Sequence, residues 1–213
     1  MKKQLNNKKV LVTAGPTWIA IDKVRVITSI FSGKTGCKIA QDAKKLGAKV
    51  KLLLGSGVLD LKNNKLKGIS VIRFKYYDEL FKLMKQEIST RNYDMIIHSA
   101  AVSDYKPNTV TKQKIASGKK TLSLKLKPTK KIVKLIKKWD PQTFLVQFKL
   151  ETNKSKNSLI KKAYESLKEN NADLVIANDL RNLDKVNIIA KDKKQTSVKR
   201  NDITKQISKL INN

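Results

Sequence analysis

Apolar residues recur along this chain in two rhythms, and the alternation between them is the first guide to its architecture. Short, mainly apolar runs lie at residues 10–13, 50–54, 71–74, 95–100, 143–148 and 174–177. Such runs, rich in Val, Ile and Leu, suit strands buried on both faces. Between them the spacing changes to three and four. Gly36, Ile39, Ala40, Ala43 and Leu46 mark one helix with Gly47 as its stop, and Leu80, Phe81, Met84 and Ile88 line one face of a second over residues 78–89. Further helices are expected at 130–138, 159–169 and 201–210, the last with Asn201 or Asp202 as its cap. Residues 186–190 and 196–199 read as a late antiparallel pair. Strand alternating with helix predicts an α/β fold with a mostly parallel, doubly wound sheet.

One stretch breaks the rhythm. Residues 102–127 are polar, contain Ser117-Gly118 and end in an alternating pattern at 122–126 that reads as a strand. We read it as an arm or flap laid over the crevice at the carboxyl ends of the strands, where ligands of such sheets lie. No internal repeat or low-complexity linker divides the chain, so a single domain over 1–213 is expected, Rossmann-like and three-layered.

Composition narrows the function classes. The 213 residues suffice for one large core. No run of about 18 apolar residues is present, and the N-terminus lacks the apolar segment of a secretory signal, so no membrane partner is expected. The one cysteine, Cys37, excludes an internal disulfide and fits a reducing compartment, with the cytoplasm as the default location. The formal net charge is +30, carried by 42 lysines and five arginines spread along the whole chain. A Lys- and Asn-rich, Arg-poor balance fits a compositional bias with a solvated surface. A field that gathers small anions is the functional alternative, and nucleic-acid binding is disfavoured because stacking aromatics are sparse.

The chemistry-bearing positions cluster early. After the first strand comes Ala14-Gly15-Pro16-Thr17, and later Ser32-Gly33-Lys34-Thr35-Gly36 opens a helix. Glycine loops and helix N-termini present backbone N–H groups and a positive dipole end, which suits a phosphorylated ligand. A G-x-G-x-x-G fingerprint is missing after the first strand, which disfavours a dinucleotide-dependent oxidoreductase, and the Walker spacing is missing too. No Cys/His metal motif exists, and the one histidine, His98, lies in a strand as a core residue would.

Seven segments in order carry a more specific signal. They are Ala-Gly-Pro-Thr at 14–17, Ile-Asp-Lys-Val-Arg at 21–25, Ser-Gly-Lys-Thr-Gly at 32–36, Ala-Ala-Val-Ser-Asp-Tyr at 100–105, Lys-Ile at 114–115, Phe-Lys-Leu-Glu-Thr at 148–152 and Ala-Asn-Asp at 177–179. In this order and spacing the chain resembles the phosphopantothenoylcysteine synthetase family of coenzyme A biosynthesis over roughly residues 8–190. The segments Lys-Ile-Ala-Ser-Gly-Lys and Leu-Lys-Pro-Thr resemble its archaeal branch. The resemblance implies a ligase that joins 4′-phosphopantothenate to L-cysteine. CTP, with ATP as the alternative, activates the carboxylate as an acyl-cytidylate in the presence of Mg2+.

The resemblance also implies roles. Lys114 would neutralise charge at the reacting phosphoryl and acyl centres, and Ser29, where the family has asparagine, would handle the acyl-cytidylate. Gly15, Thr17, Ser32, Gly33 and Lys34 would contact phosphates. Ala100 and Ala101 would let the backbone approach the base, Asp104 would lie beside the nucleotide, and Phe148 would pack on base or sugar. Arg25 and Asn178 would meet the substrate. The metal ligands are left open. A homodimer is implied, as is a separately encoded flavin-dependent decarboxylase as partner, with no FMN on this chain. Three further departures stand out. Ser166 and Asn170 occupy places where many members carry phosphate-gripping lysines, and Gln147 stands where glycine often precedes the phenylalanine. A diverged, catalytically impaired binding protein is the rival reading.

Overall fold

A computed structural model describes residues 4–57, 66–90, 93–152 and 155–211. In chain order its elements are β1 (Lys9–Ala14), β2 (Ile19–Ala20), β3 (Val26–Ile27), α1 (Lys34–Lys45), β4 (Lys49–Gly55), β5 (Ser70–Phe74), α2 (Tyr77–Ser89) and β6 (Met95–His98). There follow β7 (Tyr105–Pro107), β8 (Leu126–Pro128), α3 (Ile132–Trp139), β9 (Phe144–Glu151), α4 (Lys156–Glu169), β10 (Leu174–Asp179), β11 (Asn182–Ala190), β12 (Gln195–Lys199) and α5 (Ile203–Leu210).

The main sheet has eight strands in the order β12-β11-β10-β9-β6-β1-β4-β5. From β5 to β10 the neighbours pair in parallel, and β11 and β12 close that edge antiparallel. The chain leaves β1 toward β4 and β5, then returns to lay β6 on the other flank of β1. The strand order therefore reverses between β1 and β6, and loops from these two strands diverge to leave a crevice there. Period-two side chains sort the core into two layers. Val10, Val12, Leu52, Leu54 and Ile97 pack toward α1 and α5, while Leu11, Leu53, Ile96, Leu145 and Val175 pack toward α2, α3 and α4. The expected three-layer Rossmann-like fold is what the chain adopts. Among the described residues no helix is long and apolar enough to cross a membrane.

Two local features fix the crevice. At Gly36, one turn into α1, an added Cβ would lie 2.4 Å from Ser99 Oγ, 2.6 Å from Ala14 Cβ and 3.1 Å from the Thr13 carbonyl. Only glycine lets α1 approach β1 and the end of β6 so closely. At the carboxyl end of β6, His98 is buried and bonds through Nδ1 to Thr13 Oγ1 at 3.0 Å, while that hydroxyl oxygen accepts the Ala100 amide at 3.1 Å. Burial pushes the imidazole down to about 4, so it is neutral and structural.

Two strand expectations need correction. The apolar run at 95–100 leaves the sheet after His98, because Ser99 turns its hydroxyl back onto the Thr13 carbonyl at 2.6 Å. The alternation at 122–126 is not a strand over that span. Leu122 and Leu124 are exposed, and pairing with β7 starts only at Leu126, since no sheet face is there to receive the apolar side.

Candidate functional site

The rim of the crevice is built by loops that satisfy one another. Gly15, at φ 85°, turns the chain off β1. Its carbonyl accepts the Ala101 amide at 3.0 Å, and the Thr17 amide donates to the Ala101 carbonyl at 3.1 Å. Thr17 is fully buried, and its hydroxyl accepts the Ser103 amide at 2.9 Å and meets the Ser103 hydroxyl at 3.1 Å. The structure thus brings Gly15, Thr17, Ala100 and Ala101 together as expected. The Thr17 hydroxyl, with no exposure and two partners, stitches the loops together.

Beside this rim stands the N-terminus of α1. Gly33 precedes it at φ 73°, no side chain caps it, and its first turn carries no acidic residue. Uncapped helix N–H groups and the dipole favour an anion here. Ser32 and Gly33 are half-buried and Lys34 is exposed beside them. Just upstream, the Ser29 hydroxyl oxygen is buried with no hydrogen-bond partner among the described residues. A buried hydroxyl left unpaired costs about 1–3 kcal/mol, a cost that a bound polar group would relieve.

The hairpin of β2 and β3 connects rim to glycine loop, and the arm crosses it. Thr129 closes the arm's base, its hydroxyl donating to the Ser103 carbonyl at 2.7 Å and its amide to the Asp104 carbonyl at 2.8 Å. Asp104 is exposed at that base, 3.9 Å from the Lys131 ammonium. Farther out, the Thr111 amide donates to the Ile21 carbonyl at 3.1 Å, and Ile115 docks on Asp22 and Arg25. Lys114 is exposed, and its ammonium makes no ion pair among the described residues. Arg25 and Lys114 are therefore neighbours through Ile115. Among the described residues no hydrogen bond or ion pair joins Lys114 to the glycine loop.

On the far side, Phe148 is half-buried, packs against the α1-side core and pairs with Ile176. Asn178 is buried and accepts from Arg200 Nη2 at 3.4 Å, while Arg200 Nη1 donates to Thr35 Oγ1 at 3.1 Å. Arg200, which follows β12, thus reaches the first turn of α1 from 165 residues away. Sequence reasoning missed it, although an arginine in so Arg-poor a chain was a signal. It missed Asp22 as well, whose burial no local pattern announces. Cys37 is buried and its thiol is pushed up to about 11 by burial, so it is an inert core group. Among the described residues no cluster of three metal-ligating side chains exists.

A family model described as the DNA/pantothenate metabolism flavoprotein C-terminal domain matches residues 5–213. The chain belongs to this family. The coenzyme A biosynthesis bifunctional protein CoaBC of Thermococcus kodakarensis is 38% identical over 180 residues, covering 84% of this chain and 43% of that protein. The same protein of Borreliella burgdorferi is 34% identical over 220 residues, covering 99% of this chain and 54% of its own length. Among solved structures, the C-terminal domain of CoaBC aligns with a TM-score of 0.80 at 28% identity, covering 98% of this chain and 96% of that one. The chain spans about half the length of the curated relatives it matches.

Against that family, three of this chain's departures form one structural unit. The Asn170 side-chain amide donates to Gln147 Oε1 at 2.8 Å and to Ser166 Oγ at 3.2 Å, and Gln147 Nε2 donates to Ser166 Oγ at 3.1 Å. Gln147 and Asn170 are buried. The trio joins the middle of β9, where Gln147 pairs opposite His98, to the last turns of α4. Nearer the carboxyl end of β9, Lys162 and Lys149 bond Glu151 at 3.0 and 2.9 Å. Ser166, Asn170 and Gln147 thus form one internal hydrogen-bonded cluster.

Proposed function

We propose that this chain is a ligase domain that joins 4′-phosphopantothenate to L-cysteine with CTP through an acyl-cytidylate. The observation that carries the reading is the reversal point between β1 and β6, with the uncapped N-terminus of α1 pressed against it through Gly36. Family membership and the likeness to CoaBC give that anion site its substrates.

In this reading the triphosphate lies on Ser32, Gly33 and Lys34, with the pyrimidine edge against the backbone of Ala100 and Ala101 and the ring near Phe148. A carboxylate oxygen of phosphopantothenate attacks the α-phosphorus and pyrophosphate leaves. The cysteine amine then attacks the acyl carbon, loses a proton, and CMP departs with the former carboxylate oxygen. Both steps gather negative charge on phosphoryl oxygens, where a fixed cation in a preorganised site is worth most. Lys114 supplies that cation from the arm. In this reading Ser29, whose hydroxyl is buried and unpaired, bonds the acyl-cytidylate, and Arg25 and Asn178 meet the substrate. Mg2+ enters with the nucleotide. The donor set suits a phosphate-carried ion, because one exposed carboxylate, Asp104, stands at the rim where a resident metal would need several.

A homodimer fits the exposed apolar residues Val24, Ile30, Phe31, Leu122 and Leu124, which lie on the hairpin, the approach to the glycine loop and the arm. A flavin-dependent decarboxylase is the natural partner, since it consumes the product and accompanies this domain in the bifunctional relatives. The cytoplasm, where these substrates arise, is its place of action. One observation favours the rival of an impaired binding protein, namely Ser29 in place of the family asparagine. The test is pyrophosphate release from Mg–CTP with cysteine omitted. Release that requires phosphopantothenate supports the ligase, and nucleotide binding with no release in any combination supports the rival.

A further inference from the structure

From Asn108 to Pro128 every residue of the arm is exposed except one, Ile115. That residue is held by side chains from the tip of the β2–β3 hairpin. The Asp22 carboxylate is buried, and its oxygens accept four hydrogen bonds. Oδ1 takes the Val24 and Arg25 amides, each at 2.8 Å, and shapes the hairpin tip. Oδ2 takes Arg25 Nη1 at 2.7 Å and the Ile115 amide at 3.0 Å. Arg25 Nη1 also donates to the Ile115 carbonyl at 3.1 Å. Both backbone polar groups of Ile115 are thus gripped by one ion pair, across 93 residues of chain from Asp22. The carboxyl of Asp22 is pushed down to about 2, first by the Ile115 amide, against the opposing effect of burial, and then by the Val24 and Arg25 amides and the Arg25 charge.

The Ile115 amide belongs to the peptide bond that joins it to Lys114. Fixing that N–H fixes the peptide plane from which the Lys114 side chain departs. We infer that Asp22, with Arg25, is the positioning pair of the arm: it grips the Lys114–Ile115 peptide and so sets where the Lys114 ammonium stands over the crevice. Asp22 touches no reacting atom in this account and acts through Lys114. The inference deepens the ligase reading and rests on it for its catalytic consequence, while the grip itself stands on geometry alone.

The experiment uses the full chain and Asp22→Asn. The amide keeps an oxygen for the hairpin tip but turns a donor toward two donors, so the outward pair of bonds breaks. Hydrogen exchange read by NMR should show the wild-type Ile115 amide protected at least tenfold relative to Ala116. In Asp22→Asn that protection should vanish while β1 and β6 amides keep theirs. Pyrophosphate release should fall at least tenfold in kcat, with KM for CTP changed less than threefold. An Ile115 amide that exchanges as fast as its neighbours in the wild type overturns the grip. Lost protection with unchanged kcat overturns the positioning role. If Asp22→Asn does not fold, Arg25→Met serves, since it keeps the carboxylate and removes the Nη1 that donates to both Oδ2 and the Ile115 carbonyl; Ile115 protection that stays at the wild-type level there overturns the grip. A wild type that never releases pyrophosphate would sink the ligase reading, while the exchange data would still judge the grip.

Discussion

The rim of the crevice and the arm that crosses it are held by opposite means. At the rim, Thr13, Gly15, Thr17, Ala101 and Ser103 bond one another through backbone and hydroxyl groups, most of them buried. Along the arm, exposed side chains run for some twenty positions around the single half-buried residue Ile115. The rim is preformed and cannot adapt. The arm has few contacts to lose, which is the condition for local opening at low free-energy cost. In the proposed ligase, reactants would meet a bonded rim, while Lys114 is carried by an arm held to the hairpin at Thr111 and Ile115.

That contrast can be broken from either side. The largest expected effect comes from the arm. Lys114→Ala should lower pyrophosphate release by about a hundredfold or more, with the melting temperature unchanged, as read by single-turnover assay and thermal unfolding. Unaltered turnover would remove Lys114 from the chemistry. The rim should respond in stability instead. Gly36→Ala forces a Cβ to within 2.4 Å of Ser99 Oγ, and the required shift should cost about 1–3 kcal/mol in denaturant unfolding.

His98 gives the rim a pH signature. Its folded pKa, about 4 against an ordinary 6.5, is depressed by burial. Below pH 6.5 the unfolded chain takes up a proton that the folded chain refuses, so stability falls as pH drops from 6.5 to about 4 and levels off beneath. The loss should reach about 3 kcal/mol at 1.36 kcal/mol per pKa unit, and His98→Gln should flatten the slope over that window in urea titrations. The smallest effect is expected just upstream of the glycine loop. Ser29→Asn should keep turnover or raise it severalfold, because the longer amide still reaches the space its hydroxyl now faces unpaired.

The scaffold was largely legible in the sequence because its strands are buried on both faces. Val10, Val12 and Ala14 enter one core layer and Leu11 the other, so the run reads as mainly apolar. Helices such as α2 showed their one-sided spacing for the complementary reason. The hairpin was not legible, and the arm was legible only in outline. β2 and β3 have two residues each, too short for any period to register. The alternation at Leu122 and Leu124 mimicked a strand that has no partner. Asp22 reads as an ordinary exposed turn residue until a peptide 93 positions away is laid against it. Most of the candidate site residues were named through resemblance in order and spacing, and their contacts came only from the fold. Gln147, Ser166 and Asn170 show the converse hazard. Taken singly they suggest a weakened phosphate grip, whereas together they form one internal hydrogen-bonded unit.

In the proposed reaction the acid is activated on the α-phosphorus of the nucleotide within this crevice. Phosphopantothenate labelled with oxygen-18 in its carboxylate tests it directly when incubated with the protein, Mg–CTP and cysteine. One labelled oxygen per turnover should be found in CMP, with pyrophosphate unlabelled. Label in inorganic phosphate with CDP as the co-product, or amide product with no labelled CMP, would contradict it.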